Sequence, residues 1–481
     1  MTSLSVYSAA AVVLAAGKGT RMKSARHKVL HRLAGKSMLW HVLTALRGAG
    51  IPPERTTIVI GDGAAPVRSE VERDFPDALY PFVLQEPQLG TGHAVLTARP
   101  AVPTDAETIV VAYGDTPLLR AETVTALLEQ RARDDSNGIP VTLVTGVLEN
   151  PQDLGRILRG TDGALQEIVE FRDASPEQRA VCEVNSGFCA FRAAWLWDAL
   201  PRVQPARSGE IYLTSLAERA VSSGAGAGSL LLDQIGEAVG VNTRPQQAEA
   251  EQILRARIAA HLMAHGVTLQ DPATTYLDAS VEVGRDSVIL AGTHLLGSTR
   301  IGADCEIGPN AYVRDSVVAD GCRIFLSVVD GAELDRDVTV GPFAHLRPGA
   351  RCGRGVEVGT GSEIKASTLG AGSKMHHFGY LGDAKLGVNV NVGAGTVTCN
   401  FDGERKHATR IGDGAFVGSG TLLVAPVSVG TRALTGAGSV VTKDVANGAK
   451  VAGVPARAIG ARERPEARKD STDGDDARPS T

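Results

Sequence analysis

A chain of 481 residues has room for two or three domains, and 43% hydrophobic residues are enough for proper cores, which excludes a disordered protein. The net charge of −5 without a basic block argues against a nucleic-acid or membrane-surface protein, and no apolar run reaches the roughly 18 residues of a membrane span. The six cysteines (Cys182, Cys189, Cys305, Cys322, Cys352, Cys399) form no Cys-x-x-Cys pair and read as reduced, mostly buried side chains of a cytoplasmic protein. Residues 8–16 are apolar but short and lack a basic leader, so no signal peptide is expected.

In chain order, the first signal is an apolar run over 9–14, read as a buried strand, followed by Leu14-Ala15-Ala16-Gly17-Lys18-Gly19-Thr20-Arg21-Met22. Gly17 and Gly19 let the backbone turn sharply and approach a ligand, while Lys18 and Arg21 add fixed positive charge at a strand-to-helix turn. That combination suits a nucleoside triphosphate. It is neither a P-loop nor a dinucleotide fingerprint, because the third glycine and Gly-Lys-Ser/Thr are missing. The nine residues together resemble the signature of sugar-1-phosphate nucleotidyltransferases. Strands are predicted at 10–14, within that run, and at 57–60, 108–112 and 141–144, with helices at 41–49 and 122–132. Alternation of this kind implies an open, largely parallel sheet with helices on both faces and ligands at the carboxyl ends of the strands. Residues 243–265 carry charge and helix formers and should form a connecting helix.

After about residue 270 the rhythm changes to a period of six. Val283, Ile289, Leu295, Ile301, Ile307 and Val313 keep one phase, and Leu334, Val340, Leu346, Cys352, Val358 and Ile364 keep another. Leu386 and Val392 match again, and Ile411, Val417, Leu423 and Val429 restore the phase. Each unit reads as one flat face of a triangular coil, with the aliphatic inside and a following glycine or small residue at the corner. This is the hexapeptide pattern of a parallel β-helix. Residues 399–409 break the period with an inserted loop, a place where function is expected. Residues 461–481 are charged and polar and read as a disordered tail.

With both halves in view, residues 8–460 resemble the bacterial bifunctional N-acetylglucosamine-1-phosphate uridyltransferase / glucosamine-1-phosphate acetyltransferase family. The resemblance rests on Lys28-Val29-Leu30-His31, Gln85, Gln88-Leu89-Gly90-Thr91-Gly92-His93, Tyr113-Gly114-Asp115, the segment from Gly341 to Gly349, Tyr380-Leu381-Gly382-Asp383 and the segment from Asn391 to Thr396. It implies an α/β chain: an N-terminal Rossmann-like nucleotidyltransferase domain over 1–242, a linker helix over 243–266 and a C-terminal left-handed parallel β-helix of hexapeptide repeats over 267–460. It also implies synthesis of UDP-N-acetylglucosamine for cell-wall and outer-envelope glycans, by a homotrimer without nucleic-acid or membrane partners. Glucosamine 1-phosphate is acetylated from acetyl-CoA, and N-acetylglucosamine 1-phosphate is then coupled to UTP with release of pyrophosphate.

Uridylyl transfer needs no protein nucleophile, since the sugar-phosphate oxygen attacks the α-phosphorus. The protein must align phosphates and neutralise their charge. Asp115, after the 108–112 strand, suits Mg2+, a hard ion. The resemblance adds Asn242 as its partner and assigns Leu14, Ala15, Ala16, Gly17, Gln85, Gly90 and Thr91 to uracil and ribose, with Tyr113 and Gly114 beside Asp115. It places Arg21, as a catalytic residue, and Lys28 on the phosphates, and Gly155, Glu170 and Asn185 on the sugar. Acetyl transfer needs a base to free the sugar amine. The match places that base at His377, with His376 a neighbour of unassigned role. Arg347, Lys365, Tyr380, Asn391 and Lys406 are implied for the sugar phosphate, and Ala394, Asn400, Phe401, Ser419 and Ala437 for acetyl-CoA. Three positions depart from the family: His27 stands where proline is usual, Phe401 where tyrosine is usual, and Gly453 near the expected late arginine, for which Arg457 is a substitute. The rival reading is a monofunctional sugar-1-phosphate nucleotidyltransferase whose β-helix is structural or regulatory.

Overall fold

The computed structural model describes residues 8–461 except Lys18, Gln152, Asp153, Arg172, Arg207, Ser208, Gln234 and Val239. All but the first residue of the tail expected over 461–481 lies outside the described residues. The chain forms two compact units that divide between Arg257 and Ile258.

The main strands of the first unit are β1 (Ala9–Ala15), β2 (Thr56–Ile60), β3 (Phe82–Leu84), β4 (Thr108–Tyr113), β5 (Val141–Val147), β6 (Arg156–Arg159), β7 (Leu165–Val169), β8 (Glu183–Arg192) and β9 (Gly228–Leu232). Their order is β9-β5-β8-β4-β1-β2-β3, with the β6–β7 hairpin attached to β8. β1, β2, β3 and β4 run parallel, whereas β8 lies antiparallel between β4 and β5, so the sheet is mixed. β1 explains why a continuous apolar run was needed. Its Ala9, Ala11 and Val13 enter one core, and Ala10 and Val12 enter the other. Helices α1 (Met38–Gly48) and α4 (Ala121–Ser136) pack on the first face, and α3 (Thr91–Ala98) on the second; α2 (Ala65–Asp74) adds Val67 and Val71 to the first. Ser37 caps α1 by accepting the Trp40 amide at 3.2 Å.

One buried group makes this unit acid-sensitive. The His41 ring donates from Nε2 to the Leu33 carbonyl at 2.8 Å, and burial pushes its pKa down to about 4. The folded state therefore binds this proton later than the unfolded chain, whose histidine titrates near 6.5. Stability from His41 is fully present above about pH 6.5 and is lost as pH falls towards 4, in total about 3 kcal/mol. Denaturant unfolding of the first unit at pH 7 and pH 4.5 should show that loss, and His41→Gln should reduce the difference between the two pH values.

In the second unit, among the described residues, short strands stack into three parallel sheets. Up to Val440–Val441 each strand pairs with the third one along the chain: Glu306–Ile307 lies between Val288–Ile289 and Arg323–Ile324. The coil then ends on Ala449–Ala452, which pairs with Leu434–Thr435 and carries the antiparallel strand Arg457–Ala461. The predicted ladder is the core. Ile289, Leu295, Ile307 and Val313 are wholly buried, as are Val340, Leu346, Ile364, Val417 and Leu423. The breaks before Leu334 and Leu386 are faces one residue short, whereas the one before Ile411 holds the inserted loop. Val313 is followed five residues on by inward-pointing Val318, Ile324 by Val329, and Ile364 by Leu369. A second buried column lies two residues before the aliphatics and uses small side chains. Ser316 and Ser327, for example, accept the Ala332 and Ala344 amides at 3.1 Å, satisfying backbone at the corners.

Candidate active sites

The residues predicted for uridylyl transfer meet where β1 and β4 end side by side. The Gly114 amide donates to the Leu14 carbonyl at 2.9 Å, so Leu14–Gly17 and Tyr113–Asp115 belong to one strand-end surface. The segment carrying Asn242 is tied to it by the Val241 amide, which donates to the Asp115 carbonyl at 2.8 Å. Lys28 Nζ donates to Asn242 Oδ1 at 3.0 Å and forms a short ion pair with Asp115 Oδ2. Two hard oxygens from distant segments thus converge on a single cationic group. Gly19 makes that placement possible: its φ is +62°, and a Cβ there would lie 2.5 Å from Lys28 Cβ. His27 holds the same turn from outside, its Nε2 3.0 Å from the Gly63 carbonyl. With φ −55° it adopts a backbone that proline also adopts. Arg21 and Asn242 line a common cavity of about 680 Å³.

On the neighbouring surface, Gln85 donates from Nε2 to the Gly90 carbonyl at 3.0 Å, and Gln88 donates to the Ala16 carbonyl at 2.8 Å. The Thr91 hydroxyl hydrogen-bonds the Tyr113 phenol, which burial pushes above the usual tyrosine range. The three predicted sugar residues meet as well. The Asn185 amide donates to the Gly155 carbonyl at 2.9 Å, and a Cβ on Gly155 would lie 3.7 Å from Glu170 Oε2. Burial raises the Glu170 pKa, and the Thr214 hydroxyl donates to it at 3.2 Å. Thr214 was not anticipated. Only its position in space marks it.

In the second unit the coil register gathers side chains far apart in sequence. Extending the pairings of Lys374 with Asn391, Asn391 with Phe416 and Phe416 with Leu434 by three residues aligns His377, Ala394, Ser419 and Ala437 in one corner column. The predicted base and three predicted coenzyme A residues therefore stack on successive coils. A second column holds Arg347, Lys365 and Gly382, by extension of the pairing of Leu346 with Ile364 and directly from that of Lys365 with Gly382. The strand Gly379–Gly382 joins the two columns and carries Tyr380 between them.

The second column is cationic. The Lys365 ammonium lies beside that of Lys406 and its like charge holds Lys406 below the usual lysine range, with Asp383 and Tyr380 opposing the shift. Arg347 Nη1 donates to Glu363 at 2.7 Å, leaving the guanidinium about 40% exposed. Asn400 Nδ2 donates to Asp383 at 2.5 Å, and a Cβ on Gly382 would lie 2.3 Å from Tyr380 Oη, so a side chain there would displace the phenol. Asp383 and Gly382 lay in a quoted motif, yet their roles appear only in space. Phe401 and Lys406 pair across the inserted loop, whose turn closes on Asp402. Asn391 stands apart, on the sheet face between Lys374 and Phe416. His376 is tied to Glu357 at 2.7 Å, whereas His377 meets the His376 ring edge-on at 6.5 Å and makes no side-chain hydrogen bond among the described residues.

The comparisons with known proteins cover both units. Residues 11–151 match the model for MobA-like NTP transferase domains, and residues 280–315 match that for bacterial transferase hexapeptide repeats. The bifunctional protein GlmU of Heliobacterium modesticaldum is 46% identical over 91% of this chain and 94% of its own length. That of Geobacillus sp. strain WCH70 is 44% identical over 90% and 93%. That of Alkalilimnicola ehrlichii is 45% identical over 97% and 98%. Similarity that spans both units and nearly the full length of these relatives places the chain in the bifunctional GlmU family.

Proposed function

We propose that the chain makes UDP-N-acetylglucosamine in two steps, acetylating glucosamine 1-phosphate in the second unit and uridylylating the product in the first. The observation that carries this reading is the identity to bifunctional relatives across both units. Its domains are proposed as a uridyltransferase over 1–242, a linker helix over 243–266, an acetyltransferase β-helix over 267–460, left-handed as in the family, and a tail over 461–481.

In the first unit, Arg21 and Lys28 neutralise the phosphates while the sugar-phosphate oxygen displaces pyrophosphate from UTP. Leu14, Ala15, Ala16, Gly17, Gln85, Gly90 and Thr91 hold the nucleoside, and Gly155, Glu170 and Asn185 hold the sugar. Asp115 and Asn242 fit Mg2+, because their oxygens already converge on one cation, Lys28 Nζ. When bound, magnesium supplies positive charge to the phosphates. Lys28 is then free to turn towards phosphate oxygen.

In the second unit, His377 takes a proton from the sugar ammonium, and the freed amine attacks the acetyl thioester, expelling coenzyme A. Arg347, Lys365 and Lys406 hold the sugar phosphate, beside Tyr380 and Asn391. Lys365 and Lys406 crowd each other in the free protein, and a phosphate dianion relieves that repulsion. Ala394, Asn400, Phe401, Ser419 and Ala437 take acetyl-CoA. Among the described residues no helix is long and apolar enough to cross a membrane; the enzyme is proposed to work in the cytoplasm as a homotrimer, with neighbouring copies completing the clefts around His377.

The test is to assay the two transfers separately on the purified chain and to measure its mass by sedimentation. Both activities in a trimer are expected. Uridylyl transfer without acetyl transfer would favour the monofunctional reading, and a fully active acetyltransferase monomer would remove the shared clefts.

A further inference from the structure

Behind the uridylyl site lies a carboxylate for which substrate binding has no use. Glu237 sits on the short turn Ile235–Ala238 and is only 2% exposed. A carboxylate so buried is costly unless several partners share its charge. Glu237 has three. The Thr123 hydroxyl, in the first turn of α4, donates to Oε2 at 2.7 Å. Arg120, just before α4, pairs with Oε1, and Arg257 Nη2 lies 3.8 Å from the same oxygen. Arg257 also donates to the Leu118 carbonyl at 2.6 Å, which ties both cations to the chain between Asp115 and α4.

Beyond Glu237, Gly240 and Val241 lie against Asp115. Gly240 lies so close to the Asp115 carboxylate that a Cβ there would stand 3.2 Å from Oδ2. The Asn242 side chain donates to the Gly240 carbonyl at 3.1 Å, which orients its Oδ1 towards Lys28. Asp115 leads into α4 on one side, and Asn242 follows Glu237 on the other. Glu237 fastens these two segments to each other through Thr123, Arg120 and Arg257.

We propose that Glu237 is a positioning residue for uridylyl transfer, clamping the 235–242 segment to the start of α4 so that Asn242 and Asp115 meet at one cation. The inference rests on the reading of those two residues as the magnesium pair. A clamp behind a metal ligand controls ion affinity through geometry, and loss of such partners costs about 10- to 100-fold in affinity.

Glu237→Gln in the full chain should therefore raise the magnesium concentration for half-maximal uridylyl transfer about tenfold. It should also speed hydrogen exchange over 235–242, including the Val241 amide bonded to Asp115, and leave acetyl transfer unchanged. Thr123→Val deletes one donor to Glu237 without changing charge. It should move both readouts the same way by less, and it carries the test if Glu237→Gln does not fold. An unmoved magnesium requirement or unmoved exchange in the folded variants overturns the clamp, even where activity falls. Asp115→Asn measured alongside separates the two ideas. If its magnesium dependence matches the parent's, the cation reading fails; if only the Glu237 and Thr123 variants match the parent, the clamp alone fails.

Discussion

Asp115→Asn is expected to reduce uridylyl transfer by roughly a hundredfold or more while acetyl transfer stays near normal. The substitution is nearly isosteric, and the Asp115 backbone carbonyl still accepts the Val241 amide. What disappears is the charge that balances Lys28 and would hold the ion against the triphosphate. Fold and charge effects separate in one experiment, because the far-UV spectrum and acetyl transfer report the fold. Pyrophosphate release from UTP and N-acetylglucosamine 1-phosphate reports the site. A variant that keeps most of its magnesium-dependent release would remove Asp115 from the metal pair.

The converse is expected of His377→Ala, with acetyl transfer down by about 10²- to 10⁴-fold and uridylyl transfer unchanged. His377 shares its corner column with Ala394, Ser419 and Ala437, whereas Glu357 already occupies His376. His376→Ala should accordingly be mild. If it proves the crippled variant instead, the base sits one residue earlier and the column assignment shifts with it. The measurement is steady-state release of coenzyme A thiol from acetyl-CoA with glucosamine 1-phosphate.

The fold was legible wherever burial imposes a simple period. The apolar runs at 10–14, 57–60, 108–112 and 141–144 are strands that extend by a few residues at their ends. The β-helix ladder was readable because every coil must fill the same narrow prism. Its shortened faces were not, since a five-residue face breaks a strict six-residue count without breaking the core. β8 was missed because a bulge between Asn185 and Cys189 interrupts its alternation. Its antiparallel course, which makes the sheet mixed, has no signature in composition.

The sites show the same division. Motif residues such as Asp115, Lys28 and His377, and Asn242 as the partner of Asp115, could be named from the chain, but the contact of Lys28 with both oxygens could not. Lys28 meets Asp115 across 87 residues and Asn242 across 214, and no local pattern carries those distances. Glu237 and Thr214 belong to the same class. Each is an ordinary polar residue in sequence, made important by what folding brings beside it.

The corner columns of the second unit have a consequence for how such a chain can change length. Alignment is kept by pairing from coil to coil and not by counting along the chain. Leu346 pairs with Ile364 18 residues on, Lys365 with Gly382 17 residues on and Asn391 with Phe416 25 residues on, yet the columns hold. A face can thus give up one residue at its corner, and a larger surplus is carried where the chain leaves the coil, as at residues 400–409. Residues 400–409 are a place where insertions can accumulate, because the coils on either side take their register from each other.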